Sequence, residues 1–242
     1  MEESLQIVAV VLATAVGFTI AGVAGFGGGV VALPVLVWVF GVREAIPILA
    51  ISQLLSTTSR VWLHRGGIDW PVVRSFALGA LPMSVVGSFI FISIDTHVLV
   101  RILGGTMLLL VGYTRLPIGR NFTMKLWGFA PLGAATGFGS AFLGIPGPFA
   151  VIFYLAYGLA AGPYIGTSAL GMALIQAPKL IIFGAGGLLT HRVLLLGFGL
   201  GAIAAVTAYL GRWILGRVPE KVFPWIITSM LLVSGSILLV RG

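Results

Sequence analysis

Ser52, Ser56 and Arg60 stand four residues apart, and Ser168, Met172 and Gln176 repeat the spacing with Lys179 one turn beyond. On a helix, positions spaced this way share one face. Gln53 and Thr57 flank the first set. All of them lie in apolar runs, where polar and basic side chains are costly and usually face a cavity. Hydroxyls, amides and a few cations are a donor set that suits an anion. The competing reading is local: the serines bond to the backbone one turn back, and Arg60 and Lys179 extend to the membrane surface.

The acidic inventory points the same way. The only acids are Glu2, Glu3, Glu44, Asp69, Asp95 and Glu220. All fall at expected termini or loops, so no carboxylate is expected mid-span, where proton- or sodium-coupled carriers generally place one. Enzyme motifs are nearly absent: there is no HExxH, GxSxG or P-loop. Ser140 with His191 makes a poor intramembrane dyad, because His191 falls in an expected loop beside Arg192; a small residue lining a helix break is the plainer reading of Ser140. His64 and His97 are loop-adjacent too. With no cysteine there is no disulfide or thiolate site. No metal or cofactor is expected.

Backbone donors are the other candidates. "GFGGGVVALP", Gly25 to Pro34, interrupts an apolar run, and "GFGSAFLGIPGP", Gly137 to Pro148, echoes it. If Gly25–Gly29 is unwound, the amides of Gly27, Gly28 and Gly29 open a half-helix whose positive end attracts an anion. The second copy would aim Gly147, Phe149 and Ala150 from the opposite side. Pro34, lacking an N–H, could hold the break open. On this reading leucine at Gly28 blocks the anion site without unfolding the protein. The alternative is packing, since Ala21, Gly25 and Gly29 are small residues four apart, as at close helix contacts.

The elements that must position these groups are membrane helices. Of 242 residues 59% are hydrophobic and 8% charged, with a mean hydropathy of +1.14. A soluble domain carries about 25% charged residues. The net charge of +8 sits in short gaps between apolar runs, as in cytoplasmic loops, and argues against a nucleic-acid partner. Single spans are expected at Ala45–Leu63, Val72–Ile92, Val98–Leu116, Val193–Leu215 and Val222–Val240. Leu5–Phe40 and Leu126–Gly184 are too long for their crossings. The first is expected to divide into Leu5–Ala24 and Val30–Phe40. The second is expected to break around Gly137–Gly147, with helices at Pro148–Gly158 and Tyr164–Phe183. Most of the six tryptophans fall near span ends, as interfacial anchors do.

The halves are colinear. Glycine pairs follow each polar helix ("RGGIDWPVV", "AGGLLTHRVL"), and "LGALP" matches "LGAIA". The expected fold is therefore an all-α polytopic membrane protein of two inverted repeats. Each repeat opens with a Gly-rich broken or re-entrant hairpin, giving about eight full spans plus half-helices and up to ten crossings. Residues 1–116 form the first repeat, 117–125 a cytoplasmic loop and 126–242 the second. Inverted repeats with discontinuous helices mark secondary transporters. Five crossings per half would put the N-terminus outside; eight crossings with the N-terminus inside fit the basic residues equally well.

"GFGGGVVALPVLVWVFGVREAI", "ISQLLSTTSRVWLHRGGIDWPVV" and "LGALP" resemble the sulfite exporter TauE/SafE family of membrane permeases. The resemblance covers almost the whole chain. It implies a multi-pass protein of the cytoplasmic membrane that moves sulfite, sulfoacetate or a related organosulfur anion. Gly25, Gly27, Gly28, Gly29, Pro34, Ser52 and the Gly66–Asp69 loop are the matching motif positions. The expected partners are that anion, the lipid bilayer and, in a homodimer, a second copy. An anion channel, an intramembrane enzyme or a purely structural subunit are the rivals.

Overall fold

The structure is a computed structural model and describes residues 2–25, 28–115, 123–143 and 147–214. Among these residues there are nine α-helices and no strand: α1 Glu2–Ala24, α2 Gly28–Phe40, α3 Val42–His64, α4 Trp70–Ser93, α5 Thr96–Arg115, α6 Phe129–Leu143, α7 Gly147–Ala156, α8 Ala161–Ala185 and α9 His191–Ile214. Of the single spans expected in this range, Ala45–Leu63 and Val72–Ile92 each lie within one helix, and so do the described parts of Val98–Leu116 and Val193–Leu215. Val222–Val240 lies outside the described residues, as does Gly27.

Both long apolar stretches divide within the expected intervals, but each helix reaches further into its glycine cluster than expected. Gly25 ends α1 with φ +76°, a left-handed conformation that costs glycine nothing, while its N–H still bonds back to the Ala21 carbonyl at 3.0 Å. Gly28 and Gly29 are already helical. Pro34 lies inside α2, which runs on past it to Phe40, so the proline does not hold a break open. In the second copy α6 continues through Gly137 and Gly139 to Leu143, and α7 begins at Gly147. The reason is packing. A Cβ at Gly133 would overlap the Phe76 carbonyl oxygen, and one at Gly137 would overlap that of Ala80, both on α4. Gly79 of α4 meets the Ala130 carbonyl in the same way. These glycines bring two backbones together instead of unwinding one.

Among the described residues four helices are long and apolar enough to cross a bilayer: within Ser4–Gly22, Trp70–Ser93, Gly162–Ala185 and His191–Gly211. Helix α3 is as long but more polar, and it can be so because α2, α8 and α9 pack around it. The two halves interleave: α1 packs on α9, α6 on α4, and α3 on both α8 and α9. Outward faces carry Leu5, Leu12, Val16, Leu78, Phe89, Ile181, Leu195 and Phe198, all exposed, as a lipid-facing surface requires.

Contacts at the helix ends fix direction. Arg43 at the start of α3 donates to the Phe91, Ile92 and Ile94 carbonyls at the end of α4. Glu44 lies 3.8 Å from Arg192 at the start of α9. At the other end, a Cβ on Gly166 of α8 would come within 2.8 Å of the His64 carbonyl oxygen of α3. Asp69 caps α4 by accepting from the Val72 amide at 3.1 Å, and its own N–H donates to Thr167 of α8 at 2.9 Å. So α3 and α8 run antiparallel, and so do α4 and α9. The Gly66–Asp69 loop is a helix start tied to a neighbour. Exposed Trp62, Trp70 and Trp127 gather at this end, with the Arg65 guanidinium 4.3 Å from the Trp62 ring.

Candidate functional site

A seam of polar groups runs along the α3–α8 contact. At its middle the Gln176 side-chain amide donates to the Gln53 side-chain carbonyl. Both side chains are buried. Arg60 lies seven residues further along α3, about 10 Å of helix rise. Lys179 lies three residues further along α8, about 4.5 Å in the opposite direction. The cations therefore flank the glutamine pair toward opposite ends of the bundle.

Neither cation reaches the surface: Arg60 is 5% exposed and Lys179 0%. Both instead meet the carboxyl end of a broken helix. Arg60 Nη1 donates to the Gly25 carbonyl at 2.7 Å and to that of Ala21 at 3.4 Å. Lys179 Nζ donates to the Ser140 carbonyl at 3.3 Å and to Ser140 Oγ at 3.1 Å. A helix ends in unsatisfied carbonyls and partial negative charge, so a cation there is stabilised. The two sites correspond residue for residue. Ala21 and Ser140, Gly28 and Gly147, and Arg60 and Lys179 are all 119 positions apart. This common offset differs from the one of 112 that would match Gly25 with Gly137.

The remaining expected site residues divide by face. Ser56 is fully buried, and its hydroxyl has no hydrogen-bond partner among the described residues; the same holds for Arg60 Nε and Gln176 Oε1. Such groups are costly unless something polar joins them. Ser52 faces elsewhere, donating to the Ile48 carbonyl at 2.9 Å and to the Gly197 carbonyl of α9 at 3.2 Å. Ser168 donates to the Ile165 carbonyl at 3.3 Å and hydrogen-bonds the Tyr164 side chain. Gly28 and Gly29 are buried at the start of α2, and Gly147 begins α7. Gly28 also has a packing duty: a Cβ there would lie 2.6 Å from the Phe18 ring.

Two tyrosines join the seam that the sequence reading passed over. A Cβ on Gly25 would sit 2.8 Å from the Tyr164 hydroxyl, which places Tyr164 beside the Arg60 contact. Tyr154 of α7 lies 5.8 Å from the Tyr164 ring, with its own hydroxyl buried and unpartnered among the described residues. Tyr164 precedes Ser168 by four, so the spacing rule that found Ser168 also contains it. His191 is exposed at the start of α9; the partner Ser140 has is Lys179. Among the described residues no group of three or more acids and histidines could hold a metal. An apolar groove of about 380 Å³ between α4, α5 and α6, lined by Ile90, Ile94, Ile102, Phe138 and Phe142, lacks the chemistry for an anion.

Apolar helices bearing an outward lipid face and an inward cationic seam define an integral membrane protein with an interior suited to negative charge. The particular family follows from the sequence match: the family model for sulfite exporter TauE/SafE covers residues 9–238, and the chain belongs to that family. It is thus a member of a family of membrane anion transporters. No curated protein and no solved structure shows significant similarity to it.

Proposed function

We propose that the protein exports a small sulfur-containing anion such as sulfite or sulfoacetate across the cell membrane, by alternating access. The α3–α8 seam is the binding place, between two inverted repeats. One observation carries the reading: among the described residues Arg60 and Lys179 are buried with only carbonyl and hydroxyl partners, beside orphaned polar atoms of Ser56, Arg60 and Gln176. The amides opening α2 at Gly28 and Gly29, and α7 at Gly147, add donors. Antiparallel α3 and α8, antiparallel α4 and α9, and the common offset of 119 support the inverted repeats. Burial of both cations favours a carrier with an occluded state over an open channel. An inside-negative potential favours outward movement of each anionic charge by about 2.3 kcal/mol per 100 mV.

The test is a solid-supported-membrane screen of purified, reconstituted protein with sulfite, thiosulfate, sulfoacetate, sulfate and small carboxylates. Saturable currents with the sulfur anions are expected. A response to cations or neutral solutes alone overturns the proposal. Undiminished transport in Ser140→Ala rules out a Ser140-dependent enzyme.

A further inference from the structure

Arg60 and Lys179 hold equivalent positions but differ in chemistry. A guanidinium keeps its charge in every protein setting; a lysine amine does not. Arg60 has two carbonyl partners. The Lys179 partners are the carbonyl and hydroxyl of one residue, Ser140.

The surroundings bring no counter-charge among the described residues. From α3 come Gln53, then Arg43 and Glu44 at the end toward which Lys179 lies, and Arg60 and His64 toward the opposite end. From α4 the only charged residue is Arg74. Helix α6 brings Ser140 and no titratable group, and α7 brings Tyr154. Helix α8 itself adds only Tyr164. The carboxylates nearest in sequence to this core stand at its ends: Glu44 lies beside Arg192, and Asp69 caps α4. The carboxyl end of α6 offers partial negative charge, which is weaker compensation than a full anion. A buried charge without a partner is costly, and a titratable group so placed gives the charge up. An arriving anion removes that cost.

We infer that Lys179 is the proton site of a coupled carrier, at which the anion and one proton bind together. This rests on the reading of the chain as an anion transporter. The amine takes a proton from water and becomes the ammonium; its charge offsets that of the anion beside it. Release to the other side reverses both events: the proton that hydronium gave up on one side returns to a water molecule on the other as the N–H bond breaks. A monovalent anion then crosses without net charge. A dianion still carries one negative charge and keeps its drive outward.

The experiment uses the full chain in phosphatidylcholine–phosphatidylglycerol vesicles, with radiolabelled thiosulfate and radiolabelled sulfite as probes and protein-free vesicles subtracted. Potential is clamped at zero with potassium and valinomycin. A tenfold proton gradient, acid outside, is expected to drive inward accumulation of a transported probe by up to tenfold. In Lys179→Arg, whose charge is permanent, any flux of the same probe that remains is expected to ignore the proton gradient. Wild-type flux that is indifferent to the proton gradient overturns the inference and leaves anion transport standing, and so does a proton response retained in Lys179→Arg. Should neither probe move down its own gradient through wild-type protein, the transport reading and the inference fail together. If Lys179→Arg does not fold, the wild-type response to the proton gradient decides alone.

Discussion

At the scale of single residues, the glutamine pair separates stability from function most cleanly. Gln53→Leu removes the acceptor of the Gln176 amide and leaves that amide buried. The expected cost is about 1–3 kcal/mol, seen as a lower Tm in detergent. Adding Gln176→Leu removes the stranded group as well and is expected to recover most of that Tm, because replacing both partners by apolar groups is often nearly neutral. Transport should stay lost in both variants if the seam binds the anion; a stable double variant with wild-type flux would move the site elsewhere. Gly28 calls for a different experiment from the leucine that its sequence context suggests. With Phe18 at 2.6 Å from a Cβ, even Gly28→Ala disturbs the α1–α2 contact, so lost transport there would report packing. Gly28→Ala is expected to lower Tm, and Phe18→Leu in the same chain to restore part of it. That Arg60 and Lys179 stand inside apolar runs was legible in the sequence. Which atoms they touch was not, because Ala21 and Ser140 lie 39 positions from their cations and look like ordinary helix residues.

At the scale of elements, the sequence carried helix lengths and the places of the breaks well, and the extent of the breaks poorly. Apolar runs of about 20 residues bounded by Arg, Asp or Gly placed α3, α4, α5 and α9 because hydrocarbon thickness sets their length. Glycine clusters are ambiguous, since the residue that permits unwinding also permits close approach. Gly25 does the first, with its positive φ; Gly133 and Gly137 do the second, against α4 carbonyls. Only the neighbouring helix distinguishes them, and a single sequence does not show it. The distinction predicts opposite outcomes for one type of substitution. Gly79→Ala or Gly133→Ala puts a methyl group into fixed backbone and should unfold the α4–α6 pair, read as aggregation on size-exclusion chromatography. Gly199→Ala, on the exposed face of α9 with nothing within 4 Å, should be neutral or raise stability by about 0.5–1 kcal/mol. If Gly79→Ala is as well behaved as Gly199→Ala, α4 and α6 do not touch as described.

At the scale of the whole molecule, the proposed inversion would make one interior from two half-sites that face opposite ways. Arg60 approaches the seam from the end that holds His64 and Asp69, and Lys179 from the end that holds Arg43 and Arg192. A carrier that opens alternately to the two sides needs such a pair of ends, and here one end carries a permanent charge and the other a titratable one. The arrangement requires the two ends to lie on opposite sides of the membrane, since α8, at 25 residues, spans about 37 Å between them. The chain has no cysteine, so single cysteines report sidedness without background. Gly66→Cys lies in the basic loop after α3, where an added Cβ meets nothing within 4 Å, and His191→Cys is exposed at the start of α9. An impermeant maleimide is expected to label His191→Cys in intact cells and Gly66→Cys only after permeabilisation, because loops rich in Arg and Lys stay in the cytoplasm. Labelling with the sides exchanged would reverse the orientation while keeping the inversion. Labelling of both from one side would remove the antiparallel relation of α3 and α8, and with it the idea that the two cations serve opposite faces of one site.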